Sequence, residues 1–187
     1  EVRGFAPASG TVERGVVARM MPWSSAEPVV AGTIDTRGHA LVPGMIDAHC
    51  HLGRVGLFEP HEAPNADAVV TNLRSALAAG VTTAGDMGCT APLIAALREL
   101  TSQEPAAGPA IRASGPLLTV PLGYPLDWMS PLHRSLRAAL PCSDRASARR
   151  AVREVAEAGM DHVKVCIMHR GYDLGPLPTF SRAVARA

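Results

Sequence analysis

The stretch VPGMIDAHCHLG, residues 42–53, joins a Pro-Gly turn signal to an apolar run that ends in two histidines. Side chains alternate between the two faces of a β-strand. Asp47, His49 and His51 therefore share one face of the predicted strand, and the apolar residues between them share the other. Burying an unpaired polar group costs a few kcal/mol, on the order of 2. The polar face therefore predicts a cavity that satisfies it.

A divalent metal ion is one occupant that this polar face predicts. Two imidazoles about 7 Å apart on one strand face can converge on one cation. Imidazole suits zinc, iron and nickel among the metals of proteins. The alternative for a bare His-x-His is two ordinary histidines, one buried and hydrogen-bonded and one at a strand end. The preceding turn and Asp47 on the same face favour the metal site.

Composition excludes several classes of function. The chain has 187 residues, of which 47% are hydrophobic and 19% charged, as in globular domains. The net charge of +1 and the scattered basic residues predict neither a nucleic-acid nor a membrane partner. The 4 cysteines are widely spaced without a C-x-x-C pair, which predicts free thiols and a reducing cytoplasm.

Two regions follow each other along the chain. Residues 1–40 hold short β-like pieces, GVVARM at 15–20 and GTIDT at 32–36, broken by Gly, Pro and Ser. In residues 41–187, strand-like and helix-like segments alternate in units of about 35 residues, which predicts parallel strands joined by right-handed crossovers. An eight-unit barrel needs about 250 residues. The choice lies between a small open sheet and the first half of a barrel, and because the chain ends in a predicted helix, we expect the half.

Three helices are predicted with defined ends. Asn65 and Thr90 are N-cap residues for the first two helices, and Gly80 is the stop signal after the first. The inward positions share an apolar side chain and helical spacing. They are Val69, Val70, Leu73 and Leu77 in the first helix and Ala148, Val152, Val155 and Ala156 in the third.

Five segments together resemble the amidohydrolase superfamily. LVPGMIDAHCHLG resembles its first barrel strand, whose pattern is P-G-hydrophobic-I-D-x-H-x-H. GTIDTRGHALVPG resembles the β-segment that re-enters the barrel, and AAGVTTAGDMG resembles the second strand of the imidazolonepropionase-like and prolidase-like branch. ASGPLLT and AGMDHVKVCIM are similar to the third and fourth strands of that branch. The combination is far more specific than His-x-His alone.

The resemblance implies a fold and an activity. Residues 41–187 would form the first four units of a (β/α)8 barrel of the TIM type, and residues 1–40 part of a small β-sandwich domain. The implied enzyme is a metal-dependent amidohydrolase that cleaves an amide or cyclic amide bond by metal-activated hydroxide. The implied substrates are N-acyl amino acids, dipeptides or imidazolone-type rings. The implied cofactor is a divalent metal, zinc by preference, as one or two ions.

The same resemblance assigns metal ligands. His49 and His51 match the two ligands of the first strand, and Lys164 matches the position of a carboxylated lysine that bridges two metals. The residues agree with this, because a lysine that faces a barrel interior is costly as an ammonium and a neutral amine can add carbon dioxide. Two alternatives stay open for Lys164: a carboxylate partner from another strand, or a register that turns it outward.

Weaker candidates lie in the loops. His133 and Tyr124 follow the third strand and Arg170 follows the fourth, where each is predicted to contact substrate, Arg170 through a substrate carboxylate. Their alternatives are a surface histidine, an aromatic that merely covers the barrel mouth and a solvated arginine. Asp86 ends the second strand, at the barrel end where active sites gather, but a carboxylate that caps its own turn is the favoured interpretation. His162 begins its strand and is given no role.

The remaining ligands of the family have no counterpart in this chain. Two histidines from the fifth and sixth strands and a proton-shuttling aspartate from the eighth would come from the missing half, so no catalytic residue is assigned here. We expect that half as a second chain or a cleaved fragment, bound in an oligomer that acts on a small molecule. The alternative is a non-catalytic scaffold or metal-binding half-barrel subunit.

Overall fold

The computed structural model of the chain divides into two compact units, residues 1–43 and residues 44–187. The structure describes residues 6–24, 31–36, 39–52, 66–127, 129, 131–168 and 175–186. None of the helices in these ranges has the length and apolar character that a bilayer-spanning segment requires.

The first unit contains an antiparallel hairpin of β1 (Ala8–Glu13) and β2 (Val16–Pro22). Arg14 and Gly15 form its two-residue turn with φ values of +52° and +78°. Two positive φ values match the turn whose twist suits a hairpin. The predicted piece GVVARM therefore falls mainly in β2. The predicted piece GTIDT is not a strand in its described residues, since it follows a turn and carries no ladder bonds.

The second unit begins with a parallel sheet in the order β3-β4-β5. Helices connect its strands, as the alternating sequence pattern predicts. The elements in chain order are β3 (Met45–Cys50), α1 (Ala66–Ala78), β4 (Val81–Asp86), α2 (Ala91–Gln103), a 3-10 turn (Pro105–Ala107) and β5 (Ala110–Ala113).

A second parallel sheet has the order β7-β6-β8. Its elements are β6 (Leu117–Thr119), α3 (Pro131–Ser135), β7 (Ala139–Pro141), α4 (Arg145–Glu157), β8 (Lys164–Val165) and then α5 (Arg182–Ala185). The single third strand of the sequence prediction is thus two short strands. Gly115, with φ +62°, lies between them, and this left-handed conformation turns the chain from one sheet to the other.

Two of the predicted helix-end signals, Gly80 and Thr90, are confirmed, the predicted cap Asn65 lies outside the described residues, and Asp144 is a cap that the sequence analysis did not name. Gly80 ends the first helix region with φ +90°, and its N–H donates to the carbonyl of Leu77. Thr90 is the N-cap of α2, with a proline in the first turn. Asp144 caps α4 through a capping box, in which it accepts from the Ser147 N–H and its own N–H donates to Ser147 Oγ.

The core lies between the sheets and the helices. Val69 and Leu73 of α1 and Ile94 of α2 are fully buried against β4 and β5. Burying one such side chain stabilises the fold by about 1.5–3 kcal/mol. In α4, Ala148 and Val155 face inward as predicted, but Val152 is 43% exposed and Ala151 takes the buried position instead.

The outer strands carry exposed apolar side chains. Met45 and Ile46 of β3 are 54% and 71% exposed, and Val165 and Ile167 in and after β8 are 44% and 65% exposed. Ile46 lies on the apolar face of β3, and the described residues leave it largely uncovered. Both strands lie at sheet edges, where one ladder partner is present instead of two.

Candidate active site

The carboxyl end of β3 and the short strand β8 bring the predicted metal ligands together. His49 lies in β3, His51 follows its last residue, and Lys164 opens β8. Lys164 Nζ is 3.3 Å from His49 Nε2, although the two residues are 115 positions apart in the chain. The rings of His49 and His51 lie 5.6 Å apart between centroids, at an angle of 66°.

The three side chains differ in burial. His49 is exposed, whereas His51 and Lys164 are half-buried and the Nδ1 atom of His51 is shielded from solvent. None of the described carboxylates lies within 4 Å of Lys164 Nζ. The first alternative for Lys164, a carboxylate partner, therefore finds no support in the described residues. The second, an outward register, conflicts with the contact to His49.

Two neighbours of the histidines have structural roles. Asp47 Oδ1 accepts the N–H of His49 at 3.0 Å, so its carboxylate is tied to the local backbone. The Sγ of Cys50 donates to the carbonyl of Gly85 at 3.4 Å. Burial, and then the charges of Asp47 and Asp86, raise the pKa of the Cys50 thiol to about 11. Without a metal ion, Cys50 is therefore a neutral thiol at pH 7, although it stands between the two histidines in the chain.

Asp86 is the feature of this region that the sequence understated. Its carboxylate is fully buried, and Oδ1 accepts the N–H of Gly88 at 3.0 Å, as the turn interpretation predicts. Its other oxygen, Oδ2, accepts the N–H of Leu52 at 2.7 Å, directly after His51. No local sequence pattern predicts this second hydrogen bond, because Leu52 is 34 positions away from Asp86. Only the parallel pairing of the two strands could have suggested it.

His162 also departs from its sequence assignment. Its Nε2 lies 3.3 Å from the sulfur of Met87, which follows β4 at its carboxyl end. The imidazole therefore lies near the carboxyl end of a neighbouring strand, although its own residue precedes β8.

The predicted substrate contacts are only partly described. Tyr124 is half-buried, it packs against the buried cluster that includes Met129 and Cys166, and its carbonyl accepts from Thr119 Oγ1 at 2.6 Å. This places Tyr124 at the carboxyl end of β6, the same end as the histidines of β3. His133 belongs to α3, but its side chain lies outside the described part, as does the whole of Arg170.

The described side chains supply only part of a site for a divalent metal ion. Among the described residues, no group of three or more His, Cys, Asp or Glu side chains converges on one point. The two imidazoles and the amine nonetheless fit part of a metal site, since three nitrogen donors lie close together here. A complete site needs ligands beyond these three.

The family follows from the sequence. Residues 40–176 match the sequence model of the amidohydrolase family. The chain belongs to the amidohydrolase family. A search of curated protein sequences gives no match.

Several solved structures are similar to this amidohydrolase chain in fold. A crystal structure of an amidohydrolase shares 24% identity at a TM-score of 0.69, covering 94% of this chain and 46% of that one. A prolidase complexed with N-methylphosphonate-L-proline shares 24% sequence identity at a TM-score of 0.66, and the match covers 91% of this chain and 45% of the prolidase chain. A Xaa-Pro dipeptidase with bound methionine in the active site shares 18% sequence identity at a TM-score of 0.67, and the match covers 90% of this chain and 45% of the dipeptidase chain.

These likenesses define the architecture. The chain spans a little under half the length of the three structures. Together with the parallel sheets, they confirm the predicted fold class, a partial (β/α)8 barrel. The strands β3, β4, β5 with β6, and β8 correspond to the first four predicted barrel strands. The carboxyl ends of such strands carry the active sites of barrel enzymes.

Proposed function

We propose that this chain supplies part of the metal site of a hydrolase that cleaves an amide or cyclic amide bond. Membership of the amidohydrolase family supports the hydrolase class. The observation that carries the metal site is the 3.3 Å approach of Lys164 Nζ to His49 Nε2 across two strands. Two basic nitrogens at this separation, with no described carboxylate beside the amine, suit a shared cation.

His49 and His51 would hold the ion through imidazole nitrogens, and Lys164 would contribute as a carbamate. A neutral lysine amine adds carbon dioxide, forming one N–C bond and releasing one proton, which turns a neutral side chain into an anionic oxygen donor. A bound divalent ion, zinc by preference and as one or two ions, supplies Lewis-acid activation of water and of the substrate carbonyl.

The substrate class proposed is a small amide with a free carboxylate. The related prolidase binds N-methylphosphonate-L-proline and the related dipeptidase binds methionine in its active site, and both ligands are amino-acid compounds. An N-acyl amino acid or a dipeptide therefore leads, with imidazolone-type rings as the other family option. Arg170 would pair with the carboxylate, while His133 and Tyr124 would line the substrate side of the mouth.

Completion of the site by residues outside residues 1–187 is part of the proposal. The exposed apolar side chains of β3 and β8 would pair with further barrel strands, on the same chain or on another one. Residues 1–40 would belong to a small β-sandwich and residues 41–187 to the barrel. We place the assembled protein in the cytoplasm on its free thiols.

Metal analysis with a hydrolysis panel tests the proposal. The assembled protein should contain about one or two zinc-type ions per complete barrel and hydrolyse some N-acyl amino acid or dipeptide. His49→Ala should abolish both properties. His162→Ala is the matched control, a nearby half-buried histidine without a proposed ligand role, and should keep both. Absence of metal, with no loss in His49→Ala, would favour the scaffold alternative instead.

A further inference from the structure

The ladder between β3 and β4 is irregular where the first histidine lies. Regular Cα partners run from Ile46 with Thr83 to Asp47 with Ala84, and the pairing resumes only at Cys50 with Asp86. One of the two register shifts in this ladder falls between Asp47 and Cys50, and the other falls between Met45 and Ile46. Irregular ladders of this kind re-aim side chains beside active sites. Regular strand pairing therefore does not fix His49, and another element must.

Gly85 provides the first half of that element. A Cβ built on Gly85 would lie 2.8 Å from the carbonyl oxygen of Ala48 and 3.0 Å from its carbonyl carbon. Both are backbone atoms, which cannot move aside as a flexible side chain can. Glycine at this position lets the irregular part of β3 lie against β4, directly before His49.

Asp86 provides the second half. Its buried carboxylate accepts the Leu52 N–H at 2.7 Å and the Gly88 N–H at 3.0 Å, and so joins the residue after His51 to the turn after β4. Its carbonyl accepts the N–H of Ser114 at 3.0 Å. Gly85 thus packs closely against the irregular segment at Ala48, and Asp86 holds the segment by a hydrogen bond at Leu52.

We propose that the Gly85-Asp86 pair positions His49 and His51 for metal binding, with Asp86 as a positioning residue that touches neither metal nor substrate. This rests on the proposed metal site. Partners that orient metal ligands typically change metal affinity by about 10–100-fold when they are replaced. Asp86 does not bond to a histidine ring but to the backbone N–H of Leu52, and it therefore acts on His51 through the backbone.

The test compares Asp86→Asn with Asp161→Asn in the assembled protein. Asp161 is the matched control, because its carboxylate also accepts a backbone N–H, from Ala113 at 2.8 Å, while its other described partners are Arg98 and Arg112 and not the histidines. Zinc affinity is measured by competition with a chelator, at a temperature where both variants remain folded. We expect about a 10–100-fold loss for Asp86→Asn and less than about a twofold loss for Asp161→Asn.

A second variant and a second readout keep the two proposals apart. Gly85→Ala keeps every hydrogen-bonding group and should also weaken zinc binding. In the metal-free protein, the ring NMR signals of His49 and His51 should shift in Asp86→Asn and Gly85→Ala but not in Asp161→Asn. Wild-type protein that binds no zinc would overturn the metal site, while the ring signals would still decide the positioning role. Equal effects of all three variants on both readouts would overturn the positioning role.

Discussion

Two polar clusters in the second unit show opposite designs. Around Asp161, groups of opposite charge meet: its carboxylate accepts from both Arg98 and Arg112, and from the N–H of Ala113 at 2.8 Å. Between β3 and β8, basic groups meet instead, with Lys164 Nζ 3.3 Å from His49 Nε2. We call the cluster around Asp161 the balanced cluster, because each charge in it meets one of opposite sign, and such pairing stabilises the fold. We call the cluster of His49, His51 and Lys164 the unbalanced cluster, because no described carboxylate lies within 4 Å of Lys164 Nζ, and we propose that it holds a cation.

The balanced cluster also ties elements together. Arg98 of α2 donates to the carbonyl of Ile111 in β5 at 3.2 Å and to that of Gly159 at 2.8 Å, and it pairs with Asp161 just before β8. One side chain thus links a helix, a strand and the approach to the next strand. We expect its loss to affect stability, and loss of a histidine to affect metal binding.

The largest effect should come from the unbalanced cluster. His51→Ala removes a proposed ligand, so metal affinity should fall by more than about 100-fold, the upper range for replacing a supporting partner. Dialysis against a chelator followed by metal analysis measures this. Because the half-buried ring of His51 contributes little to the hydrophobic core, the free energy of unfolding of the metal-free protein, measured in urea, should change by less than about 1 kcal/mol. A variant that keeps its metal but loses stability would reverse the comparison.

The balanced cluster should respond in the opposite way. Arg98→Ala removes charged hydrogen bonds to Asp161 and two carbonyls, so the free energy of unfolding should fall by about 1.5–3 kcal/mol. Chemical denaturation measures the change. Zinc affinity of the folded variant should stay within about twofold of the wild type. Arg74→Ala is the control, because the Arg74 pair with Glu104 is mostly exposed and 3.7 Å long.

A pH titration sharpens the same comparison. Burial opposes ionisation of Asp161, but the hydrogen bond from Ala113 and the two arginines outweigh it and lower the pKa of the carboxyl. Because the folded pKa is lower, the stabilisation is present above the unfolded pKa of about 3.9 and is lost as pH falls through the folded value. The stability difference between wild type and Asp161→Asn should therefore be full at pH 6 and shrink below about pH 4. A difference that is independent of pH would refute the assignment.

The sequence predicted the parts of this picture that depend on local periodicity. Alternation along one strand placed His49 and His51 on one face, and the glycine after the first helix marked its end at Gly80. These features need only a few consecutive residues. The prediction of Lys164 as a metal ligand required a family resemblance. No local sequence pattern distinguishes a lysine that contacts a histidine from one that faces water.

The parts that the sequence missed depend on tertiary packing. The third strand divides at Gly115 because two sheets meet there, and the bond from Leu52 to Asp86 depends on an irregular register between strands. In α4, Ala151 is buried in place of Val152, since the helix rotation follows its neighbours and not residue size. Register and rotation are set by contacts far apart in sequence.

The smallest effect should come from the thiol beside the histidines. With a pKa near 11, Cys50 carries on the order of one thiolate in a thousand at pH 8. Alkylation by iodoacetamide, followed by mass spectrometry, should be at least about tenfold slower than for an ordinary exposed thiol. Cys50→Ala should leave zinc affinity within about twofold. Rapid alkylation at pH 8 would show that the thiol is a candidate ligand after all.

Anomalous diffraction at the zinc edge on crystals of the assembled protein tests the central claim most directly. The account predicts one peak with nitrogen atoms of His49 and His51 at about 2.0–2.1 Å and an oxygen bound to the side chain of Lys164 in contact with the ion. A zinc peak elsewhere, with Lys164 present as an unmodified ammonium that donates to His49, would contradict it.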